Sequence, residues 1–341
     1  MNLKAILELF KETFEEFSKD KASRLAAALS YYTIFSIAPL LTIAIAIAGA
    51  VFGEDAATGA IEKQLQGLIG EAGATVIQNA ILNASKPQQG TIASLISVGI
   101  LIFAATGLFT ELQDSLNTIW EVQPKPGRAV KTMFRQRFLS FAMVLGIGFL
   151  LLVSLVFSAV LASLFNYFNN ALPGSDFVWR FVNFIVGFIA TTVLFGLIFK
   201  VLPDVKITWS DVLIGAALTA LLFSFGRIVL GEYLGRTSFS STYGAAGSIV
   251  AILVWVNYAA QILFFGAEFT QVYARKYGSQ IVPDKNAVPM TQKARLEQGM
   301  KPKNDNNEGF SGRKKKSSNW VNRLVRQLKQ SKSFRRKKNN N

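Results

Sequence analysis

Three side chains in the last long apolar stretch have the spacing to line a path. Asn257 and Gln261 are four residues apart, and Glu268 follows Asn257 by eleven, close to three helical turns. On a helix all three share one face. Polar groups in an apolar surrounding are costly, so such a stripe points to a lipid headgroup or an ion in passage. The competing explanation is hydrogen bonding between helices with an ordinary interfacial acid at the end. An earlier apolar stretch contributes Tyr32, Ser36 and Pro39. Pro39 removes the donor for the Phe35 carbonyl, so nearby hydroxyls or helices must satisfy it. A kinked, hydroxyl-lined helix can act as a gate, or it can simply pack bent.

Other chemistry is excluded by residue type. The 341 residues include no Cys and no His. Disulfides, thiolate nucleophiles, Cys- or His-based metal sites and the usual neutral-pH general base are all absent. A carboxylate-only metal site would draw on Glu111, Asp114, Glu121, Asp204 and Asp211. These read as scattered, ordinary acids at the ends of apolar segments. No G-x-x-x-x-G-K-[ST] loop and no G-x-G-x-x-G turn is present. No catalytic residue, metal ligand or cofactor is assigned, and the chain is expected not to be an enzyme.

The elements that must position the polar stripe are membrane helices. About 20 apolar helical residues cross the hydrocarbon. Runs 25–53, 87–110, 138–165 and 181–199 carry no charge. A fifth, 212–226, is short and runs into Arg227, and a sixth lies within 237–267, starting near Gly247. The pattern predicts an all-α integral membrane protein with six transmembrane helices.

Charge sets the expected orientation. Residues 1–272 hold 17 basic and 17 acidic residues, whereas 273–341 hold 19 and 4 and so carry the whole +15. With six spans, one side collects 31 Lys and Arg and the other only 5. Basic loops stay inside, so both termini are expected in the cytoplasm.

Residues 1–24 read as an amphipathic cytoplasmic helix rather than a cleaved signal. Leu3, Ile6, Leu7, Phe10, Phe14 and Phe17 follow helical spacing, with Glu8, Glu12, Glu15 and Glu16 elsewhere. Such a helix lies on the membrane surface or packs under the bundle. In the first outer loop, 54–86, Ile61, Leu65, Leu68, Ile69, Val76 and Ile77 predict one or two further amphipathic helices. Leu112, Leu116, Ile119 and Trp120 extend the second span as a helix that Pro124 and Pro126 end. Gly49/Gly53 and Gly231/Gly235 have the small-xxx-small spacing of close helix contacts. The stretch Tyr243–Gly247 reads as a tight re-entry into the last span.

Residues 25–278 form the six-helix domain, and 279–341 a basic, largely disordered tail. Within it 279–312 reads as linker. Arg313, Lys314, Lys315 and Lys316, then Trp320 on a short amphipathic helix near 317–330, then Arg335, Arg336, Lys337 and Lys338 form a basic set. Beside a bilayer, anionic lipid is the expected partner, each basic residue contributing about 1 kcal/mol near the surface. RNA is the rival, less favoured because no RNA-binding fold accompanies the charges. Homo-oligomerisation is left open.

Several segments resemble a known family. They are Ala26–Leu41 (AAALSYYTIFSIAPLL), Gly107–Trp120 (GLFTELQDSLNTIW), Leu202-Pro203-Asp204, Trp209-Ser210-Asp211-Val212, Ser241–Ser248 (STYGAAGS), Trp255 and Gly266-Ala267-Glu268. In this order over about residues 10–275 they resemble the YihY / virulence factor BrkB family of bacterial inner-membrane proteins. The resemblance implies a six-helix, multi-pass protein of the plasma membrane. Members have carried the label ribonuclease BN, whose zinc-dependent form needs a His/Asp cluster that this chain lacks. From the stripe, the expected function is transport or handling of a lipid-like or amphipathic envelope substrate, with a non-transporting envelope scaffold as the alternative. A membrane-associated ribonuclease ranks below both.

Overall fold

The computed structural model describes residues 2–84, 91–125, 176–236, 246–279 and 281–302. The chain is mostly helical. The apolar run 138–165, the re-entry stretch before Ala246 and the basic set from Arg313 to Lys338 lie outside the described residues.

Helix α1 (Leu3–Lys19) is separated from α2 (Ala22–Phe52) by a two-residue turn. Lys21 takes a left-handed φ of 53° there, which costs a non-glycine residue roughly 1–2 kcal/mol. The turn lets α1 leave the line of α2. Helix α2 continues through Pro39 as one element. Helix α3 (Glu54–Ala84) occupies the first outer loop. A straight helix would hold Glu62 and Gln78 about 24 Å apart. Their side chains are instead hydrogen-bonded at 3.3 Å, so α3 is strongly bent between them.

Helix α4 (Thr91–Ile119) covers the second predicted span and its extension. It stops before the prolines do their work: Glu121 takes a left-handed φ of 57° and turns the chain into strand β1 (Val122–Pro124). Helix α5 (Asp176–Val201) leads into β2 (Val205–Lys206), then α6 (Trp209–Arg236). Helix α7 (Ala246–Lys276) begins one residue before the predicted Gly247 and is followed by β3 (Val282–Pro283) and β4 (Ala287–Pro289). Among the described residues, four helices are long and apolar enough to cross a membrane: Ala22–Ile47, Phe184–Val201, Trp209–Leu230 and Ile249–Lys276. The fifth expected span is therefore longer than predicted, because the helix runs through Arg227, whose exposed side chain does not interrupt it.

The main core sits at one end of the bundle. It joins the start of α2 (Ala22, Ala26, Leu29), the end of α4 (Leu116, Trp120), the end of α5 (Phe199), the start of α6 (Val212, Ala216) and the second half of α7 (Phe264, Ala267). Both strand pairs are at this end. β2 pairs antiparallel with β3, Val205 opposite Pro283 and Lys206 opposite Val282. β1 pairs with β4, and Lys125 N–H donates to the Asn286 carbonyl at 3.0 Å. Residues just after α7 thus belong to the folded body, correcting the expectation of a linker from 279. Backbone pairing with two loops overrides their polar composition. Toward the other end, Ile77 and Ile81 of α3 pack on Leu41 and Ile45 of α2 and on Ile252 and Trp255 of α7.

Helices α6 and α7 meet through paired glycines. A Cβ on Gly215 would stand 1.7 Å from Thr270 Oγ1, and one on Gly266 would stand 1.8 Å from Thr219 Oγ1. Each threonine hydroxyl donates to the glycine carbonyl four residues earlier on its own helix, at 2.7 Å for Thr219 and 2.6 Å for Thr270. The polar atom is satisfied locally while the side chain fills the facing glycine's gap. Gly226 does the same for the Tyr258 ring. Of the predicted glycine pairs, Gly53 makes no such approach, with open space where a Cβ would be.

The chain divides into two compact units, Met1–Val288 and Pro289–Asn341. In the second, Thr291 Oγ1 accepts from Ala294 N–H at 3.2 Å to cap the short α8 (Gln292–Glu297). Gly299, at φ 68°, then turns the chain back.

Candidate functional site

Helix α7 carries the predicted stripe and packs against α1, α2, α3, α4 and α6. Gln261 Nε2 donates to Asn257 Oδ1 at 2.7 Å, and both side chains are half-buried. The i, i+4 spacing that placed them on one face also lets them satisfy each other. Glu268 is fully buried, one residue after Ala267 of the main core. Two polar residues missed at the sequence level follow. Thr270 is buried against Gly215, and Gln271 Nε2 donates to Glu121 Oε1 at 3.2 Å.

The α2 residues form a second group. Ser36 is buried and Tyr32 is exposed. Both border Gly107 of α4, where a Cβ would lie 3.7 Å from Ser36 Oγ and from the Tyr32 ring. Pro39 is half-buried. Several neighbouring hydroxyls turn into their own helix: Ser30 donates to the Ala26 carbonyl at 2.7 Å and Thr33 to Leu29 at 2.7 Å. Thr42 donates to the Ala38 carbonyl at 2.8 Å, one turn beyond the proline. The hydroxyls of this helix largely serve its own backbone.

The acids expected to be scattered are partly gathered. Asp204 is buried, and its Oδ2 accepts from Asn117 Nδ2 at 3.1 Å and Gln113 Nε2 at 3.4 Å. Its N–H donates to Asn117 Oδ1 at 2.8 Å. Asn117 therefore grips residue 204 by both backbone and side chain, joining α4 to the α5–α6 connection. Asp114 keeps an open edge on the neighbouring face of α4. The surrounding protein, then the charges of Glu111 and Asp204, push its carboxyl up to about 6. Asp211 is apart from this set. Its Oδ2 accepts from Ser279 N–H at 2.8 Å, Ser279 Oγ at 2.7 Å and Thr208 Oγ1 at 2.8 Å, fastening the start of α6 to the end of α7. Among the described residues no group of three or more His, Cys, Asp or Glu is placed to hold a metal ion.

The network at the end of α4 was not singled out from the sequence, although Gln113 and Asn117 stand at i, i+4 and an Asp follows Pro203. What linked them is contact over 87 residues of sequence, which no local pattern reveals.

Asp114 gives a pH prediction. Its folded carboxyl holds a proton up to about 6, against 3.8 for the free group. The folded state then binds more protons than the unfolded one between these values. The contribution is fully present below about 4 and is lost as pH rises through about 6. Asp114→Asn should therefore melt higher than the parent at pH 7–8, with the gap closing toward pH 4. Paired melting curves across that range check it, and a gap that widens on acidification would refute it.

The family described as virulence factor BrkB matches residues 13–291. A UPF0761 membrane protein of Saccharophagus degradans is 31% identical over 278 residues, covering 80% of this chain and 61% of the relative. One of Teredinibacter turnerae is 28% identical over 284 residues, covering 81% and 63%. One of Vibrio parahaemolyticus is 28% identical over 278 residues, covering 79% and 82%. The chain thus spans a little over three fifths of the length of the first two. No solved structure matches the chain.

Proposed function

The chain belongs to the virulence factor BrkB family of membrane proteins, and from that premise we propose that it handles or transports a lipid-like or amphipathic envelope substrate. The observation that carries this reading is Glu268, a fully buried acid on a membrane-length helix that packs against five others. Burying a carboxylate is costly, and a position of that kind in a membrane segment is a functional one by default. Asn257 and Gln261 continue the same face toward mid-membrane, and on this reading Tyr32, Ser36 and Pro39 of α2 belong to the same path.

The same reading places six spans in the bacterial inner membrane with both termini cytoplasmic. Its support is parity. β1 after α4, β2 after α5 and the strands after α7 share one end of the bundle. The chain leaving that end after Lys125 must reach the opposite end before α5 returns. The uncharged 138–165 run is long enough for that crossing. Lys and Arg concentrate on the side where these segments meet. The basic set from Arg313 to Lys338 then faces the inner leaflet, whose anionic lipid is its partner.

One observation favours the scaffold reading instead: Gln261 is bonded to Asn257, and the α2 hydroxyls to their own backbone, as packing alone requires. Reconstitution separates the two. In vesicles carrying fluorescent phospholipid analogues, the parent should accelerate transbilayer movement, and Glu268→Gln should reduce the rate roughly tenfold, a loss of about 1.4 kcal/mol. A parent no faster than protein-free vesicles, or a Glu268→Gln variant as fast as the parent, would leave the scaffold.

A further inference from the structure

Helix α1 has three faces rather than two. Leu9, Thr13 and Glu16 are buried, and Leu9 packs with Phe269 and Val272 of α7. A charged face carries Lys4, Glu8, Lys11 and Glu15. Between them runs an uncovered apolar strip, because Leu3, Leu7 and Phe14 fall within about 40° of one another on a helix. Leu3 is 73% exposed, Leu7 61% and Phe14 67%. The apolar residues predicted from spacing thus divide: Phe10 and Phe17 go to the bundle, and the strip does not.

What covers the strip follows from where α1 is fastened. The Phe10 ring lies 6.4 Å from Phe265 and 5.5 Å from Phe269, and the Phe17 ring 6.0 Å from Phe265. Both partners belong to the membrane-length stretch Ile249–Lys276 and flank Glu268, where its uncharged run ends. Beyond them, Glu12 is ion-paired with Arg275 at 2.5 Å and with Lys276. Helix α1 is therefore held beside a membrane helix at the level where apolar residues give way to charged ones. Lys4 and Lys11 border the strip on its polar side, placed for their stems to lie along lipid and their ammonium groups among phosphates.

We propose that α1 is an interfacial anchor, with one face docked on α7 and the Leu3–Leu7–Phe14 strip buried in the bilayer at the headgroup–acyl boundary. A helix of this kind gains apolar burial and attraction to anionic headgroups together. The anchor is independent of any transport activity.

The absence of native cysteine makes the test direct. Single nitroxide labels are attached to L3C, L7C, F14C and E8C variants of the full chain in nanodiscs of zwitterionic and anionic phospholipid. Collision with oxygen should exceed collision with a water-soluble nickel chelate at positions 3, 7 and 14, and the order should reverse at position 8. Three strip positions keep the test intact if one variant fails to fold. Strip labels as open to the nickel chelate as position 8 would overturn the proposal. Strip labels immobilised and shielded from both reagents would also overturn it, showing that a protein surface covers the strip.

Discussion

Replacing Gly215 by alanine should destabilise the bundle by about 1–3 kcal/mol, the usual range for a methyl group forced into a filled contact. The added Cβ would stand 1.7 Å from Thr270 Oγ1, 2.8 Å from its Cβ and 3.2 Å from its Cα. Rotating Thr270 moves only its hydroxyl and methyl. The Cβ and Cα are fixed by backbone, so α6 and α7 must separate. The hydroxyl's bond to the Gly266 carbonyl is lost in that rotation as well. Gly266→Ala should behave alike, since its Cβ would meet Thr219 Oγ1 at 1.8 Å and Cβ at 2.8 Å. The double variant should cost less than the sum, because the first separation makes room for the second methyl. Gly187→Ala is the control: nothing lies within 4 Å of a Cβ there, and alanine should be neutral or slightly stabilising. Unfolding measured in a mild detergent checks all four, and a Gly215→Ala variant as stable as Gly187→Ala would contradict the packing described.

Asn117→Ala should cost about 1–3 kcal/mol, as expected when a buried N–H loses its acceptor and a buried carboxylate loses one of its donors. Asn117 accepts from Asp204 N–H at 2.8 Å and donates to Asp204 Oδ2 at 3.1 Å, and it is 3% exposed. Asn117→Asp separates charge from shape. It keeps the acceptor for the N–H but sets a second carboxylate against Asp204. It should be less stable than Asn117→Ala at pH 8 and should recover toward pH 5, as a proton shared between the two acids restores the missing donor. Melting temperatures of the pair at both pH values decide it. If Asn117→Asp shows no pH-dependent recovery, the 117–204 bond is not the tie that holds α4 to the α5–α6 connection.

Helix positions were the readable part of this protein, because length and absence of charge are local properties of sequence. The start of α7 was placed within one residue on that basis, and the burial of Leu112, Leu116, Ile119 and Trp120 followed from their shared face. Contacts were less readable. Gly49/Gly53 has the same spacing as any close-packing pair, whereas Gly215 and Gly266 are recognised only when each is seen opposite the other helix's threonine. The acids misled for a similar reason. Glu111, Asp114 and Asp204 sit in two segments that the fold brings together, while Glu121 and Asp211, close to them in sequence, face elsewhere. Composition also misled after residue 279, where polar residues were read as linker but the backbone pairs with loops from the middle of the chain. Of the nominated polar residues, Glu268 and Ser36 are buried, and Asn257 and Gln261 are bonded to each other.

The strands that follow α7 impose an order on how the molecule is made. Residues 282–289 leave the ribosome after every helix of the body, yet their partners at Val122–Pro124 and Val205–Lys206 were made long before. Until the last segment arrives, those two loops present unpaired edges, and the clasp between them cannot close. Closure also demands that all three segments reach the same end of the bundle. A chain inserted with one crossing too few or too many would strand a partner on the wrong side. The clasp is therefore the last part of the body that can form, and it ties two loops from the middle of the chain to the segment after its final long helix.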